Sequence, residues 1–374
     1  MSWRATLSRR SFLAAMGAAA CAPIVEEPPQ QDEQPGLDAL ASAKGLRFGT
    51  ALQPRHLRDE AYASLVRREA GVLVGENAQK WHVIARDRIS DYTEADALAA
   101  FADVNGLVLR GHTLLWYAHV PDWWEAIEDR RAAERAMLDH IAETVGRYRG
   151  RIVSWDVVNE AIEPADGRAD GLRRAVLLAR FGDGYLHRAF AAARQADPAC
   201  QLVYNDYGFE YATPWHEQRR RALLGLLKRF RRDGTPIDAV GLQSHLVAGQ
   251  DFDAALWRRF LADIAAMNYR ILVTELDVTD TALPTDIAAR DAAVADEYRH
   301  FLDATLDQPA VTSVMTWGLT DRWTWLRGPA ALPSHRRKDG QQQRPLPFDD
   351  ALRRKPAWTA MAQAFAAAPA HPRA

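Results

Sequence analysis

Two glutamates stand where a paired-carboxylate reaction needs them. Glu160 closes the run Ser154-Trp155-Asp156-Val157-Val158-Asn159-Glu160, and Glu275 lies within Ile271-Leu272-Val273-Thr274-Glu275-Leu276-Asp277. Burying an ionised carboxylate without a partner is costly. An acid that ends an otherwise apolar strand therefore points to a cleft, where water or a partner is at hand. Glycoside hydrolysis needs such a pair: one carboxylic acid protonates the leaving oxygen, and the other attacks the sugar carbon or orders a water that does. Carboxyl groups about 5–5.5 Å apart give retention of configuration, and about 6.5–9.5 Å gives inversion.

Taken alone, either glutamate reads equally as a surface group or half of an ion pair. The neighbours weigh against that reading. Asn159 directly precedes Glu160 and is placed to reach a sugar hydroxyl. His245 ends Leu242-Gln243-Ser244-His245, on the run just before that of Glu275. Asp277 lies two residues beyond Glu275, on the same strand face by the two-residue period. From there it can orient His245, whose second ring nitrogen can bond Glu275 and keep it ionised.

Sugars offer apolar C–H faces to indoles and hydroxyl edges to amides and charged groups. The chain has 12 Trp, several at the ends of apolar runs. The candidate binding set is Glu76, Asn77, Lys80, His112, Trp116, Gln243, Trp317 and Trp325. Trp81 and Trp155 read equally as core, and Trp123 and Trp124 as a cleft rim or loop packing. His112, His245, Glu275 and Asp277 are also metal-ligand types. They come from distant runs with no HExxH, so neither a metal site nor a cofactor is expected.

Eight apolar runs must position these groups: 46–52, 71–76, 107–116, 152–160, 201–207, 239–246, 271–278 and 311–320. Candidate helices follow them at 57–70, 94–105, 132–148, 184–197, 216–233, 253–267, 290–308 and 355–367. Strands alternating with helices argue for parallel pairing through crossovers. Eight such units predict an α/β fold, a closed (β/α)8 TIM barrel forming a single catalytic domain over 46–365. An open doubly wound sheet is the competitor. It usually carries an early glycine-rich ligand loop, whereas Gln53-Pro54-Arg55 follows the first run here. Polar residues also end nearly every run, which suits a barrel that gathers all its strand ends at one face.

Composition narrows the partners. Lys plus Arg number 47 against 49 Asp plus Glu, a net charge of -2, so no nucleic acid or anionic membrane is expected. Two cysteines, Cys21 and Cys200, exclude a disulfide-built scaffold. Residues 1–22 read as an export signal: Ser8-Arg9-Arg10-Ser11-Phe12-Leu13 is twin-arginine-like and precedes a short apolar stretch. Ala18-Ala19-Ala20-Cys21 resembles a lipoprotein cleavage box, making Cys21 a candidate lipid anchor. Export would place the protein in the periplasm or outside the cell, or lipid-anchored at the outer membrane. Residues 23–45, rich in Pro and Glu, read as a flexible tether and barrel lead-in, and 366–374 as a loose tail.

With these motifs in order, the chain resembles glycoside hydrolase family 10, the (β/α)8 endo-β-1,4-xylanases. The matching stretches are Gly75-Glu76-Asn77-Ala78-Gln79-Lys80-Trp81, Arg110-Gly111-His112-Thr113-Leu114-Leu115-Trp116 and Trp155-Asp156-Val157-Val158-Asn159-Glu160-Ala161. Tyr204-Asn205-Asp206-Tyr207, Gly241-Leu242-Gln243-Ser244-His245, Thr274-Glu275-Leu276-Asp277-Val278 and Thr316-Trp317-Gly318-Leu319-Thr320-Asp321 complete the set.

The resemblance implies Glu160 as acid/base and Glu275 as nucleophile in retaining, endo-acting hydrolysis of xylan by a monomer. It implies Glu76, Asn77, Lys80, His112 and Trp317 on the glycone side. Asn159, Gln243 and His245 would surround the cleaved sugar, with Trp116 and Trp325 as walls there. Trp325 would crowd the space of a glucose hydroxymethyl group. A β-1,4-glucanase of the same fold and a non-catalytic carbohydrate-binding protein are the rival readings. Tyr117, Trp323 and the segment 327–345 depart from the family pattern.

Overall fold

The computed structural model describes residues 34–329 and 331–372. The expected export signal, Cys21 and the 23–33 part of the tether lie outside the described residues. Nine strands occur among the described residues: β1 (Arg47–Leu52), β2 (Val72–Gly75), β3 (Val108–Trp116), β4 (Ile152–Asn159) and β5 (Gln201–Asp206). They continue with β6 (Ala239–Leu242), β7 (His245–Val247), β8 (Arg270–Thr279) and β9 (Val311–Thr316). All pairings are parallel, running β6-β5-β4-β3-β2-β1-β9-β8, and β6 also pairs with β8, which closes the barrel.

Nine strands make eight staves because the expected run 239–246 is broken. Ser244 takes φ +60°, and His245–Val247 resume as β7 against β8 alone, with His245 opposite Asp277. A left-handed φ on a non-glycine residue is strained and tends to persist where the surroundings enforce it. Here the break puts Gln243 and His245 on either side of Glu275. The Gln243 N–H donates to Asp206 O, while Gln243 O accepts the Glu275 N–H.

Strand burial follows from the crossovers. Helices cover the outside and side chains fill the inside, so the strands are buried along nearly their whole length. The interior packs Ala51, Val74, Val203, Ala239, Leu272 and Met315 against Trp317, with Trp325 on their edge. Two glycines set the spacing. A Cβ on Gly111 would lie 2.0 Å from the Trp155 ring, and one on Gly241 would lie 2.2 Å from Asn205 Oδ1. The long outer helices start where the sequence supplies caps. Asp129, Asp253 and Asp286 each accept a backbone N–H at the head of 130–147, 254–266 and 287–305. Thr213 followed by Pro214 opens 214–232.

Both ends of the described chain differ from expectation. Within the expected lead-in, Leu37–Ser42 form a helix, with Leu37 and Ala41 buried. Glu69 accepts the Leu37 N–H at 3.1 Å, and Asp38 pairs with Arg47 at 3.1 Å. The expected loose tail is pinned as far as His371: Ala368 and His371 are buried, and the two ring nitrogens of His371 meet the carbonyls of Val311 (3.0 Å) and Leu306 (2.9 Å).

Candidate active site

Glu160 directly follows β4, Glu275 lies within β8, and one amide network joins them. Both are largely buried, at 8% and 6% exposure, and each carboxyl oxygen has a polar neighbour. Glu160 Oε2 accepts the Trp116 indole N–H at 2.8 Å. Its Oε1 accepts the amides of Gln243 (3.0 Å) and Asn159 (3.1 Å). Glu275 Oε1 accepts the Asn205 amide at 2.8 Å, and its Oε2 faces His245 Nε2 at 3.4 Å. The two acids are joined through amides, because Asn159 Oδ1 accepts from both Asn205 (2.9 Å) and Gln243 (3.3 Å).

The electrostatics separate the pair. Burial pushes the Glu160 carboxyl up from its ordinary value, and the charges of Asp206 and Glu275 push the same way, against the Gln243 and Trp116 hydrogen bonds. Burial also penalises an ionised Glu275. There the His245 hydrogen bond and the charges of His112 and His245 prevail, and its pKa falls below the ordinary value. His245 is desolvated, but Asp277 at 2.8 Å and Glu275 outweigh this and hold it well above the usual imidazole range. Asp277 is itself fixed by the Trp325 indole N–H at 2.7 Å. Opposed shifts in neighbouring carboxyls are the arrangement that acid–base chemistry uses.

The backbone of Glu160 is also unusual, with φ +58°. Its N–H donates to Asn205 O at 2.9 Å, and its carbonyl accepts Arg173 Nε at 3.0 Å. Arg173 also reaches Ile162 O and the Tyr207 hydroxyl, and its guanidinium lies 4.1 Å from the Tyr117 ring centroid. Tyr117 thus has a definite place: it covers the cation that clamps the strained acid.

The other predicted groups fall in two sets. Lys80 lies 4.7 Å above the Trp116 ring and donates to Asn77 Oδ1 at 2.9 Å, while Asn77 donates to Glu76. Burial lowers the Lys80 pKa, opposed by Glu275, Glu76 and Glu160, which places these groups in one field. Trp317 meets the edge of His112 at 5.2 Å. Asn159 and His112 are buried, and one nitrogen of His112 is held by the protein: Nδ1 bonds Asp156 at 2.9 Å, and Asp156 pairs with Arg110. Trp81, Trp124 and Trp155 are buried core, and Trp81 stacks on His140. Trp323 stacks on His56 in the loop.

Asn205 was not singled out from sequence, nor was Arg173. A polar residue two short of the end of the run 201–207, facing a glycine on the next strand, was the available signal for Asn205. Asp206, by contrast, is a scaffold group, paired with Arg219 at 2.6 Å within the buried interior. Among the described residues no group of three or more metal-ligand side chains is assembled for an ion.

Comparison with known proteins bears on this geometry. The sequence model of glycosyl hydrolase family 10 matches residues 36–364. The chain belongs to glycosyl hydrolase family 10. It is similar to endo-1,4-beta-xylanase 1 of Humicola insolens, 33% identical over 338 residues, covering 88% of this chain and 74% of that protein. Endo-1,4-beta-xylanase B of the same organism is 32% identical over 373 residues, covering 93% and 95%. Among solved family 10 relatives, native xylanase 10B from Thermotoga maritima superposes with a TM-score of 0.78 at 30% identity, over 88% of this chain and 98% of that one. Xylanase 10B from Thermotoga petrophila RKU-1, in complex with xylobiose, gives 0.79 at 29% identity, over 89% and 98%. The barrel of this family 10 chain is the fold expected from its eight runs.

Proposed function

We propose that the protein is an endo-acting, retaining β-1,4-xylanase, with Glu275 as nucleophile and Glu160 as acid/base. The observation that carries the assignment is the opposed shift of two buried carboxyls in one amide network.

In the first step a carboxylate oxygen of Glu275 bonds to the anomeric carbon. The glycosidic C–O bond breaks, and its electron pair stays on the departing oxygen, which takes the Glu160 proton. Esterification removes the Glu275 charge, one of the influences that raise Glu160. Glu160 then becomes a better base. In the second step it takes a proton from water as the water oxygen bonds to the anomeric carbon, and the ester C–O pair returns to Glu275. His245, Asp277, Asn159 and Gln243 position the two acids. Glu76, Asn77, Lys80, His112, Trp116, Trp317 and Trp325 make the wall for the sugars. The unit is proposed to act as a monomer. The leader around Arg9-Arg10 supports export, with Cys21 as the lipid-anchor candidate.

Glu275→Ala tests the reading: turnover of xylan and aryl xylosides should vanish, and retained xylan turnover would contradict it. Reducing-sugar release should be far greater from xylan than from carboxymethylcellulose. The reverse favours a glucanase, and no cleavage of either favours a binding protein. Protein in the cytoplasmic fraction would contradict export.

A further inference from the structure

The segment after the last stave is fastened with more buried polar chemistry than a loop requires. Arg337 donates to the carbonyls of Asp280, Leu283 (2.8 Å) and Pro284 (3.2 Å). Arg290 pairs with Asp280 at 2.8 Å and donates to Gln342 O at 2.6 Å. The Gln343 side chain takes the Thr279 hydroxyl and the Asp280 N–H on Oε1, and its amide donates to His335 O. Arg337, Arg290, Gln343 and Asp280 are all buried. Desolvating such groups is costly unless their partners are nearly complete. The strap 331–345 is therefore held in one place, against the exit of β8, the strand that carries Glu275 and Asp277.

That fastening seats a ring. Pro333–His335 form a short 3-10 turn, and the imidazole of His335 meets the Trp325 ring edge-on, with centroids 5.0 Å apart and planes at 85°. From its other neighbour, His245, Trp325 is 5.4 Å away. Its one polar anchor is the 2.7 Å bond to Asp277 Oδ2. His335 adds a second edge-on ring contact to that of His245, and such aromatic pairs favour one relative orientation. Burial lowers the His335 pKa, against the pull of Asp277.

We propose that His335 is a specificity-determining positioning residue, which fixes Trp325 beside the reacting sugar so that the site rejects a pyranose bearing an exocyclic hydroxymethyl group. The inference rests on the glycosidase reading of Glu160 and Glu275. A xylose ring ends at C5, where glucose carries CH2OH. A fixed wall admits the first and clashes with the second, whereas a wall that can tilt admits both. The segment that departs from the family pattern thus acts on the substrate without touching it.

The test uses the full chain and compares kcat/KM for 4-nitrophenyl β-xylobioside and β-cellobioside. His335→Ala should lower the xylobioside-to-cellobioside ratio at least tenfold, mainly through faster cellobioside turnover. His335→Phe, which keeps a ring against Trp325, should stay within twofold of the parent. A ratio within twofold of the parent for His335→Ala, or an equal fall for His335→Phe, would overturn the proposal. Should His335→Ala not be recovered folded, Gln343→Ala loosens the strap without removing the ring: a tenfold lower ratio supports the proposal and an unchanged one refutes it. An inactive parent would instead sink the glycosidase reading itself.

Discussion

The side-chain amide of Asn205 donates to Glu275 Oε1 at 2.8 Å, and the same nitrogen donates to Asn159 Oδ1 at 2.9 Å. Thr274 locks the amide orientation by donating to Asn205 Oδ1 at 2.7 Å. Asn205 thus links Asn159, the residue beside Glu160, to Glu275. A hydrogen bond to a charged group is worth about 1.5–3 kcal/mol. Asn205→Ala should therefore reduce kcat/KM on an aryl xylobioside by about 10- to 100-fold. It should also move the acidic limb of the pH profile upward, because Glu275 loses a bond to its ionised form. An unmoved limb would show that Asn205 does not act through Glu275.

The pH dependence follows from the two opposed shifts. Glu275 must be ionised and Glu160 protonated, so the kcat/KM profile should be bell-shaped. Its acidic limb belongs below the ordinary carboxylate value and its alkaline limb above it. His245→Ala should raise the acidic limb and leave the alkaline one nearly in place. Glu160→Ala should slow substrates with poor leaving groups much more than activated aryl ones. Equal losses on both would remove Glu160 from the acid role.

Gly241 stands opposite the Asn205 amide. An added Cβ would approach Asn205 Oδ1 to 2.2 Å, with Thr274 Cγ2 at 3.0 Å. Gly241→Ala should cost about 1–3 kcal/mol by overpacking and lower kcat with it, as the amide bridge shifts. Equilibrium denaturation paired with steady-state kinetics checks both. An active variant of parental stability would mean that the stave yields at Gly241.

Away from the site, Glu297 is desolvated, which pushes its pKa to about 7 against the Tyr211 hydrogen bond at 2.9 Å. Because the folded-state pKa is raised, the contribution of Glu297 is whole below the unfolded carboxylate value. It is lost as pH rises through about 7. Glu297→Gln cannot ionise, so its Tm relative to the parent should rise between about pH 4.5 and 7. A constant Tm difference across that range would contradict the assignment.

How much was legible beforehand depended on the kind of signal. The eight staves came from apolar runs, and Glu160, Glu275, His245 and Asp277 from polar residues closing them, because strand periodicity fixes which side chains share a face. The break at Ser244 was not legible, since nothing in Gln243-Ser244-His245 announces a left-handed φ. Asn205 was quoted only as part of a motif, because its role depends on amide contacts with residues 46 and 70 positions away. The lead-in and the tail were misread because Leu37 and His371 find their partners across the barrel bottom, at separations local composition does not encode. The segment 327–345 looked anomalous for its Arg and Gln content, and those same residues turn out to be its fasteners.

The central claim is that Glu275 forms a covalent bond to the sugar while Glu160 moves the proton. Incubating the protein with an activated 2-deoxy-2-fluoro-xylobioside and mapping the labelled peptide by mass spectrometry addresses it directly. The account predicts one sugar per chain, attached to Glu275. Label on Glu160, or an active protein that takes up none, would contradict it.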